Sequence, residues 1–333
     1  MQPFDFTRAS SPDQAIAAHA AHTAEATART RFLAGGTNLI DMMKLDVERP
    51  TTLIDINDLA LSDIKPTPDG GLLLGALSRN TDVAHHPTVL RDYRVLSQAI
   101  LSGASPQLRN MATTAGNLLQ RTRCVYFRDT AYACNKREPA SGCSAIDGFN
   151  RSLAILGTSK DCIATNPSDQ NVALTALEAT IHVQGPAGPR SIPIHDFYVL
   201  PGTTPHIETV LQPGDLITGV TLPPPRPNTR SIYLKLRDRA AYEFALASAA
   251  VVLGIEARRI TYARVALGGI GTKPWRSPEA EHALEGKDVD LATFRRAAAE
   301  ALREAHPQTE NAFKVDLAQR CLVRALTMAT KSA

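Results

Sequence analysis

Arg31-Phe-Leu-Ala-Gly-Gly-Thr-Asn-Leu-Ile-Asp-Met-Met-Lys44 is the stretch whose reading decides the fold. Apolar residues run into two glycines and then into a helix-compatible segment, which predicts a short strand, a tight turn and a helix start. Upstream, Ser11 before Pro12 reads as a helix cap and first helical residue, and an alanine-rich run continues to Ala28. Downstream, residues 51–57 and 71–77 predict two further short strands bounded by Pro, Asp or Gly. Residues 92–102 predict a helix, because Val95, Leu96, Ala99 and Ile100 recur at helical spacing.

From 103 to 169 the chain is rich in Gly, Asn, Thr, Pro and Cys, so a long irregular excursion is expected, and such loops are functional or held by something. Helical pattern resumes over 172–179. Residues 180–183 and 190–194 alternate around Gly185-Pro-Ala-Gly188, the signature of a hairpin. Pro223-Pro-Pro-Arg-Pro227 is the best linker, and it divides the chain into domains over 1–226 and 227–333. Beyond it, 247–255 and 260–267 read as a second hairpin, followed by helices over 291–304 and 316–331. The last helix carries Cys321 on its apolar face, as a small core residue. The fold class is mixed α/β.

Composition narrows the function. The 333 residues allow two or three domains, and 44% hydrophobic with 21% charged residues is globular usage. Lys and Arg number 36 against 33 Asp and Glu, a balance of +3 that argues against a nucleic-acid or anionic-membrane partner. No window is apolar enough to span a bilayer, and the amino terminus lacks the charged and apolar regions of an export signal, so on its own the chain is expected in the cytoplasm. Neither H-E-x-x-H nor G-x-S-x-G occurs, which leaves hydrolytic chemistry without support. His85-His86 and His195-Asp196 read as surface or cap residues, Trp275 as packing, and Lys235, by residue type alone, as solvated.

Three Gly/Thr/Asn elements carry binding chemistry. Ala34-Gly35-Gly36-Thr37-Asn38 lies between strand and helix, where free N–H groups and the helix dipole favour an anion such as a diphosphate. It is neither G-x-G-x-x-G nor a P-loop, and an ordinary capped turn has the same local pattern. Ala112-Thr-Thr-Ala-Gly-Asn-Leu-Leu-Gln120 and Ala164-Thr-Asn-Pro-Ser-Asp169 supply further hydroxyl, amide and capping groups. Four cysteines, Cys124, Cys134, Cys143 and Cys162, are spaced C-x9-C-x8-C-x18-C with no histidine among them. That spacing suits an iron-sulfur cluster whose charge Arg121, Arg123, Arg128, Lys136 and Arg137 would offset; zinc, two disulfides and free thiols remain open alternatives.

Taken in order, Phe32-Leu-Ala-Gly-Gly-Thr-Asn-Leu, Arg109-Asn-x-Ala-Thr-Thr-Ala-Gly-Asn117, Ser168-Asp169, Leu211-x-Pro-Gly-Asp-Leu-Ile217 and Lys235-x-Arg-x-Arg-x-x-Tyr-Glu-Phe-Ala245 resemble the FAD-binding subunits of the xanthine dehydrogenase family, along essentially the whole chain. The resemblance is strongest to a subgroup of periplasmic, heterotrimeric aldehyde oxidoreductases with molybdenum-cofactor, 2Fe-2S and FAD subunits. In it, a Cys-rich insertion, here 118–165, parts the Gly-Asn and Ser-Asp motifs and carries a 4Fe-4S cluster.

The resemblance implies the two-subdomain FAD-binding fold of the p-cresol methylhydroxylase type, followed by an α/β domain. It implies that Leu33, Ala34, Gly35, Gly36, Thr37, Asn38, Leu39 and Ile40 hold the FAD diphosphate. Thr113, Gly116, Asn117 and Asp169 would contact the ribityl and phosphate portions. Leu216 and Ile217 would lie over the flavin ring and Lys235 near its edge, and Cys124, Cys134, Cys143 and Cys162 would ligate the cluster. The pattern departs at Glu243, where Asp is usual, and at Ala115, where Gly is common.

In the implied mechanism an aldehyde is oxidised at molybdenum on another chain, independently of NAD. Electrons pass through 2Fe-2S centres to this FAD and on to an external acceptor, and no residue here acts as a catalytic acid or base. The implied location is the periplasm, reached with a signal-bearing partner. A self-sufficient flavin oxidase of the same fold, or a non-redox scaffold with a zinc-stabilised loop, are the alternative functions.

Overall fold

The computed structural model describes residues 1–21 and 29–331. The chain opens with β1 (Asp5–Arg8), α1 (Pro12–Ala20), β2 (Thr30–Leu33), α2 (Leu39–Lys44) and β3 (Thr52–Asp55), and the three strands pair in parallel in the order β1-β3-β2. The strand, glycine turn and helix expected over 31–44 are present as β2 and α2. Ser11 caps α1, its hydroxyl accepting from Gln14 N at 3.1 Å. The remainder of that expected helix, 22–28, lies outside the described residues.

Next come β4 (Ile64–Pro66), β5 (Leu72–Gly75), α3 (Arg94–Ser102), α4 (Thr114–Leu118) and α5 (Asp169–Ala176). The hairpin β6 (Thr180–Gly185) and β7 (Gly188–Pro193) follows, then β8 (Leu216–Leu222), completing an antiparallel sheet in the order β4-β5-β8-β6-β7. The helix expected at 172–179 starts earlier, because the Ser168 hydroxyl caps it by accepting from Asn171 N at 3.1 Å.

After the proline run, β9 (Thr229–Leu236), β10 (Ala247–Glu256), β11 (Arg259–Gly268) and β12 (Trp275–Arg276) form an antiparallel sheet in the order β12-β11-β10-β9. Helices α6 (Pro278–Leu284), α7 (Leu291–Ala301) and α8 (Phe313–Lys331) complete the chain. The apolar run of β10 is covered on both faces. Ala247, Ala249, Val251 and Leu253 join the core with α6–α8, whereas Ala250 and Val252 join the core containing α3 and α5. Cys321 is buried in the first of these, as its helix face indicates.

The two-residue period of a strand has a consequence on β9. Ile232 faces the α6–α8 core, so Tyr233 and Lys235 share the opposite side, toward the start of α5. The Cys-rich excursion is tied back by charge. Arg121 Nη1 lies 2.5 Å from Glu48 Oε1 and its Nε 2.7 Å from Glu208 Oε2, while Lys136 Nζ lies 2.9 Å from Glu208 Oε1.

Candidate functional site

A cavity of about 470 Å³ runs from Thr37 and Asn38, at the start of α2, past Gly116 and Asn117 to Asp169 and Lys235. It shares Arg123, Pro167, Asp169, Glu243 and Phe244 with a second cavity of about 300 Å³, whose far wall includes Leu153, Ser248 and Gly269. The cleft is therefore long and lies between the excursion, α5 and β9.

The glycine loop is held tightly behind its near end. A Cβ on Gly35 would stand 1.9 Å from the Met111 carbonyl oxygen, so no other residue fits there without displacing backbone. Gly36 has φ +71°, a left-handed conformation that costs an L side chain roughly 1–2 kcal/mol. The Asn38 side-chain oxygen accepts from Arg121 N at 3.1 Å, which leaves its buried Nδ2 without a partner. Gln170 Nε2 donates to Thr114 O at 3.1 Å, leaving a buried Oε1 equally unpartnered. Asn80 Oδ1, Arg109 Nε and Arg123 Nε are in the same condition, and all five residues line the larger cavity. Buried polar atoms are normally satisfied, so this concentration marks the place where a polar ligand completes the network.

The lining is also cationic. Arg109, Arg123, Arg128, Lys235 and Arg239 face Asp41, Asp169 and Glu243, an excess of two positive charges. Lys235 Nζ lies 2.8 Å from Asp169 Oδ2, both side chains being nearly inaccessible, and Tyr233 Oη donates to Asp169 Oδ1 at 2.5 Å. Burial, reinforced by the Asp169 carboxylate, pushes the Tyr233 phenol well above its ordinary pKa, so it stays a donor. The bland expectation of a solvated Lys235 is overturned by its burial on β9.

The structure thus brings Thr37, Asn38, Gly116, Asn117, Asp169 and Lys235 to one cavity. Thr113 stands just behind it, capping α4 by accepting from Gly116 N at 3.1 Å. Leu33, Ala34, Gly35, Gly36, Leu39 and Ile40 shape the loop without lining the space. Leu216 and Ile217, expected over a flavin ring, open β8 instead. Leu216 belongs to the core that supports Phe32 and Ala34 beneath the glycine loop, and Ile217 to the core of the five-stranded sheet. Asn80, Gln170 and Tyr233 were not singled out by sequence; only the cap at Ser168 signalled that the residues after it start a buried helix.

Cys124, Cys134, Cys143 and Cys162 line one small closed space together with Phe127, Lys136 and Ile163. All four are free thiols. Among the described residues, no three His, Cys, Asp or Glu side chains close around a point as tightly as one metal ion requires. Backbone N–H groups point at the sulfurs, from Tyr126 and Phe127 to Cys124, from Ala145 and Ile146 to Cys143, and from Ala164 to Cys162. Burial, above these bonds, pushes the Cys124 thiol up to about 12. The expected charge-offsetting cations are otherwise engaged. Arg121 pairs with Glu48 and Glu208, and Arg123 and Arg128 with Asp41. Arg137 donates to the Tyr126, Phe127 and Tyr132 carbonyls, and Lys136, the one of the five that lines the cysteine space, pairs with Glu208.

Residues 2–225 match the family model of the FAD binding domain in molybdopterin dehydrogenase, and residues 232–329 match that of the CO dehydrogenase flavoprotein C-terminal domain. The chain belongs to the FAD-binding subunits of the xanthine dehydrogenase family. It is 51% identical to the aldehyde oxidoreductase FAD-binding subunit PaoB of Escherichia coli (strain K12), over 100% of both chains. It is 28% identical to the glyceraldehyde dehydrogenase medium chain of Sulfolobus acidocaldarius, over 92% of this chain and 90% of that one. In fold it is similar to a carbon monoxide dehydrogenase chain from Hydrogenophaga pseudoflava, with a TM-score of 0.77 covering 99% of this chain and 98% of that one, at 24% identity.

An FAD-binding subunit of this family is the flavoprotein part of an oxidoreductase whose molybdenum centre lies on another chain. The cleft fits FAD. Its two excess positive charges match a diphosphate, the free Asn38 Nδ2 is a donor suited to phosphate oxygen, and the free Gln170 Oε1 is an acceptor suited to a sugar hydroxyl.

Proposed function

We propose that this chain is the FAD-carrying electron-transfer subunit of a molybdenum-dependent aldehyde oxidoreductase. The observation that carries the reading is the single cleft in which the glycine loop, the two excess positive charges and the Lys235–Asp169–Tyr233 set occur end to end. The loop of residues 33–40 holds the diphosphate through Thr37 and Asn38, with Asn38 and Arg109 donating to it. Thr113, Gly116, Asn117, Asp169 and Gln170 serve the ribityl and phosphate portions, and Lys235 the ring edge. When bound, FAD supplies a store for two electrons that can be released one or two at a time. The chain's own residues bind and orient it and set the field around it.

Aldehyde as substrate follows from the full-length relative at 51% identity. Oxidation of an aldehyde with water to the acid releases two electrons and two protons at the molybdenum-bearing partner. The electrons reach this chain through a 2Fe-2S partner and leave to an external acceptor, so neither bond-making nor proton abstraction on the aldehyde falls to residues here.

We propose further that Cys124, Cys134, Cys143 and Cys162 hold a 4Fe-4S cluster. The support is a shared closed space, N–H groups directed at the sulfurs, which stabilise cluster thiolates, and the Lys136 ammonium beside them. The raised thiol pKa values mean that metal binding must release protons on assembly. Export to the periplasm in a folded complex, on a partner's twin-arginine signal, completes the proposal; fractionation of cells with and without that partner tests it.

The deciding experiment is anaerobic addition of an aromatic aldehyde to the FAD-loaded chain alone and to the assembled complex, following flavin absorbance. Bleaching only in the complex supports electron transfer from a partner. Bleaching of the chain alone favours a self-sufficient oxidase, and a protein that holds zinc and no flavin is a scaffold.

A further inference from the structure

Lys314, at the second position of α8, is a fully buried cation with no carboxylate partner among the described residues. Its ammonium spends all three N–H groups on backbone carbonyls: Ser152 at 2.8 Å, Leu153 at 3.0 Å and Gly269 at 2.7 Å. Ser152, Leu153 and Gly269 are wall residues of the 300 Å³ cavity, which continues from the FAD cleft past Asp169. The charge therefore stands one layer of backbone behind that wall.

The other cations around the cleft differ. Arg123 and Arg128 pair with Asp41, Arg151 with Asp238, Lys235 with Asp169, and Arg239 with Glu243. Arg109 also lacks a carboxylate, but it is partly exposed and bonds the Gly103 and Ala104 carbonyls. A buried ion costs several kcal/mol unless compensated, and three carbonyl dipoles offset only part of that. Burial and the nearby Arg151 accordingly push the Lys314 pKa down to about 7. The compensation still missing is negative charge, and a space in which it can arrive is the cavity whose wall includes Ser152, Leu153 and Gly269.

We propose that the Lys314 ammonium is a positioning charge that favours the reduced form of the flavin in the adjacent cavity and so raises its reduction potential. The inference rests on the FAD reading above, with the ring on the Asp169–Lys235 side of the cleft. Reduction of a flavin by two electrons with uptake of one proton leaves the ring one unit more negative than before. While protonated, the Lys314 ammonium behind the wall binds that state more tightly than the oxidised one, and by linkage the tighter binding appears as a higher potential.

The test is the flavin midpoint potential of the FAD-loaded full chain, titrated anaerobically. Lys314→Met and Lys314→Gln are expected to lose about tenfold of the preference for the reduced form, a fall of about 30 mV for a two-electron couple. Asn311→Ala is the control. Asn311 Nδ2 donates to the Asn150, Leu153 and Ala154 carbonyls, so removing it loosens the same segment without changing charge. Its potential is expected to stay at the wild-type value. Should the lysine variants fail to fold, Asn311→Asp places a carboxylate beside the retained ammonium and is expected to lower the potential, while Asn311→Ala does not. Lysine variants that keep flavin at the wild-type potential, or an Asn311→Ala shift as large as that of Lys314→Met or Asn311→Asp, overturn the proposal. A wild-type chain that holds no FAD instead refutes the cofactor site on which it rests.

Discussion

Lys235 and Asp169 meet at 2.8 Å although they come from different parts of the chain, one from β9 and the other from the first residue of α5. The Ser168 cap fixes where α5 begins, and the two-residue period of β9 sends Lys235 and Tyr233 to the same side, so the carboxylate is held from both oxygens. This pair lies where the larger cavity of the cleft meets the smaller one, and its removal has separable effects on stability and on binding.

Lys235→Met leaves the Asp169 carboxylate buried with only the Tyr233 hydrogen bond. Breaking one side of a buried ion pair costs about 3–5 kcal/mol, and a denaturant titration of the chain is expected to show a loss of that order. Adding Asp169→Asn to Lys235→Met removes the stranded charge and should recover part of it. A single Lys235→Met variant as stable as the parent would show that the pair is not coupled.

At the glycine loop, Gly35 and Gly36 are constrained for different reasons. Gly35→Ala collides with the Met111 carbonyl and must push the loop away from residues 109–112, so flavin retained after desalting is expected to fall at least tenfold. Gly36→Ala strains the backbone by roughly 1–2 kcal/mol and should retain more flavin than Gly35→Ala. Gly36→Asp adds a like charge next to the diphosphate and is expected to lose the cofactor. Full FAD occupancy in Gly36→Asp would move the diphosphate elsewhere.

Serine at Cys124, Cys134, Cys143 or Cys162 removes one corner of a four-thiolate site and is expected to lower bound iron sharply. Cys321→Ser lies in the α6–α8 core and should leave iron unchanged. Iron and zinc analysis of the five variants decides it; zinc in the parent, or iron lost equally in Cys321→Ser, contradicts the cluster.

Acid should loosen the Cys-rich excursion through Glu208. Burial raises its pKa, but Arg121 and Lys136 outweigh that and hold the carboxyl below its ordinary value. A depressed folded-state pKa contributes stability that is present above the unfolded value of about 4.3 and is lost as pH falls through the folded one. Labelling of the metal-free chain by a pyridyl disulfide, which still reacts with thiols in acid, is therefore expected to accelerate below about pH 4. In Glu208→Gln the anchor is already weakened at neutral pH, and that acid step should disappear.

Much of the fold is legible because its cues are local. The β2–Gly-Gly–α2 unit, the β6–β7 and β10–β11 hairpins and the Ser11 cap each declare themselves within a few residues. What escaped depends on distant pairing. β8 reads as a flavin-contact motif around Leu216 and Ile217 until its partners β5 and β6 bury both residues in the interior. β9 shows an alternation whose two sides are meaningless until β10 and α5 give each a neighbour. α6 was missed although Ser277-Pro278 repeats the cap signature of Ser11-Pro12, its hydroxyl accepting from Ala280 N at 3.2 Å. In the site, Asn38 and Asp169 were visible through their motifs, whereas Asn80, Gln170 and Lys314 acquire meaning only from burial beside the cleft.

The most direct measurement is a crystal structure of the FAD-loaded chain. The diphosphate should lie against Thr37 and Asn38, with the ring on the Asp169–Lys235 side and Asn38 Nδ2 and Gln170 Oε1 newly hydrogen-bonded. Flavin density elsewhere, for example between Tyr93 and the Pro223–Arg226 segment, with this cleft filled only by solvent, would contradict the assignment.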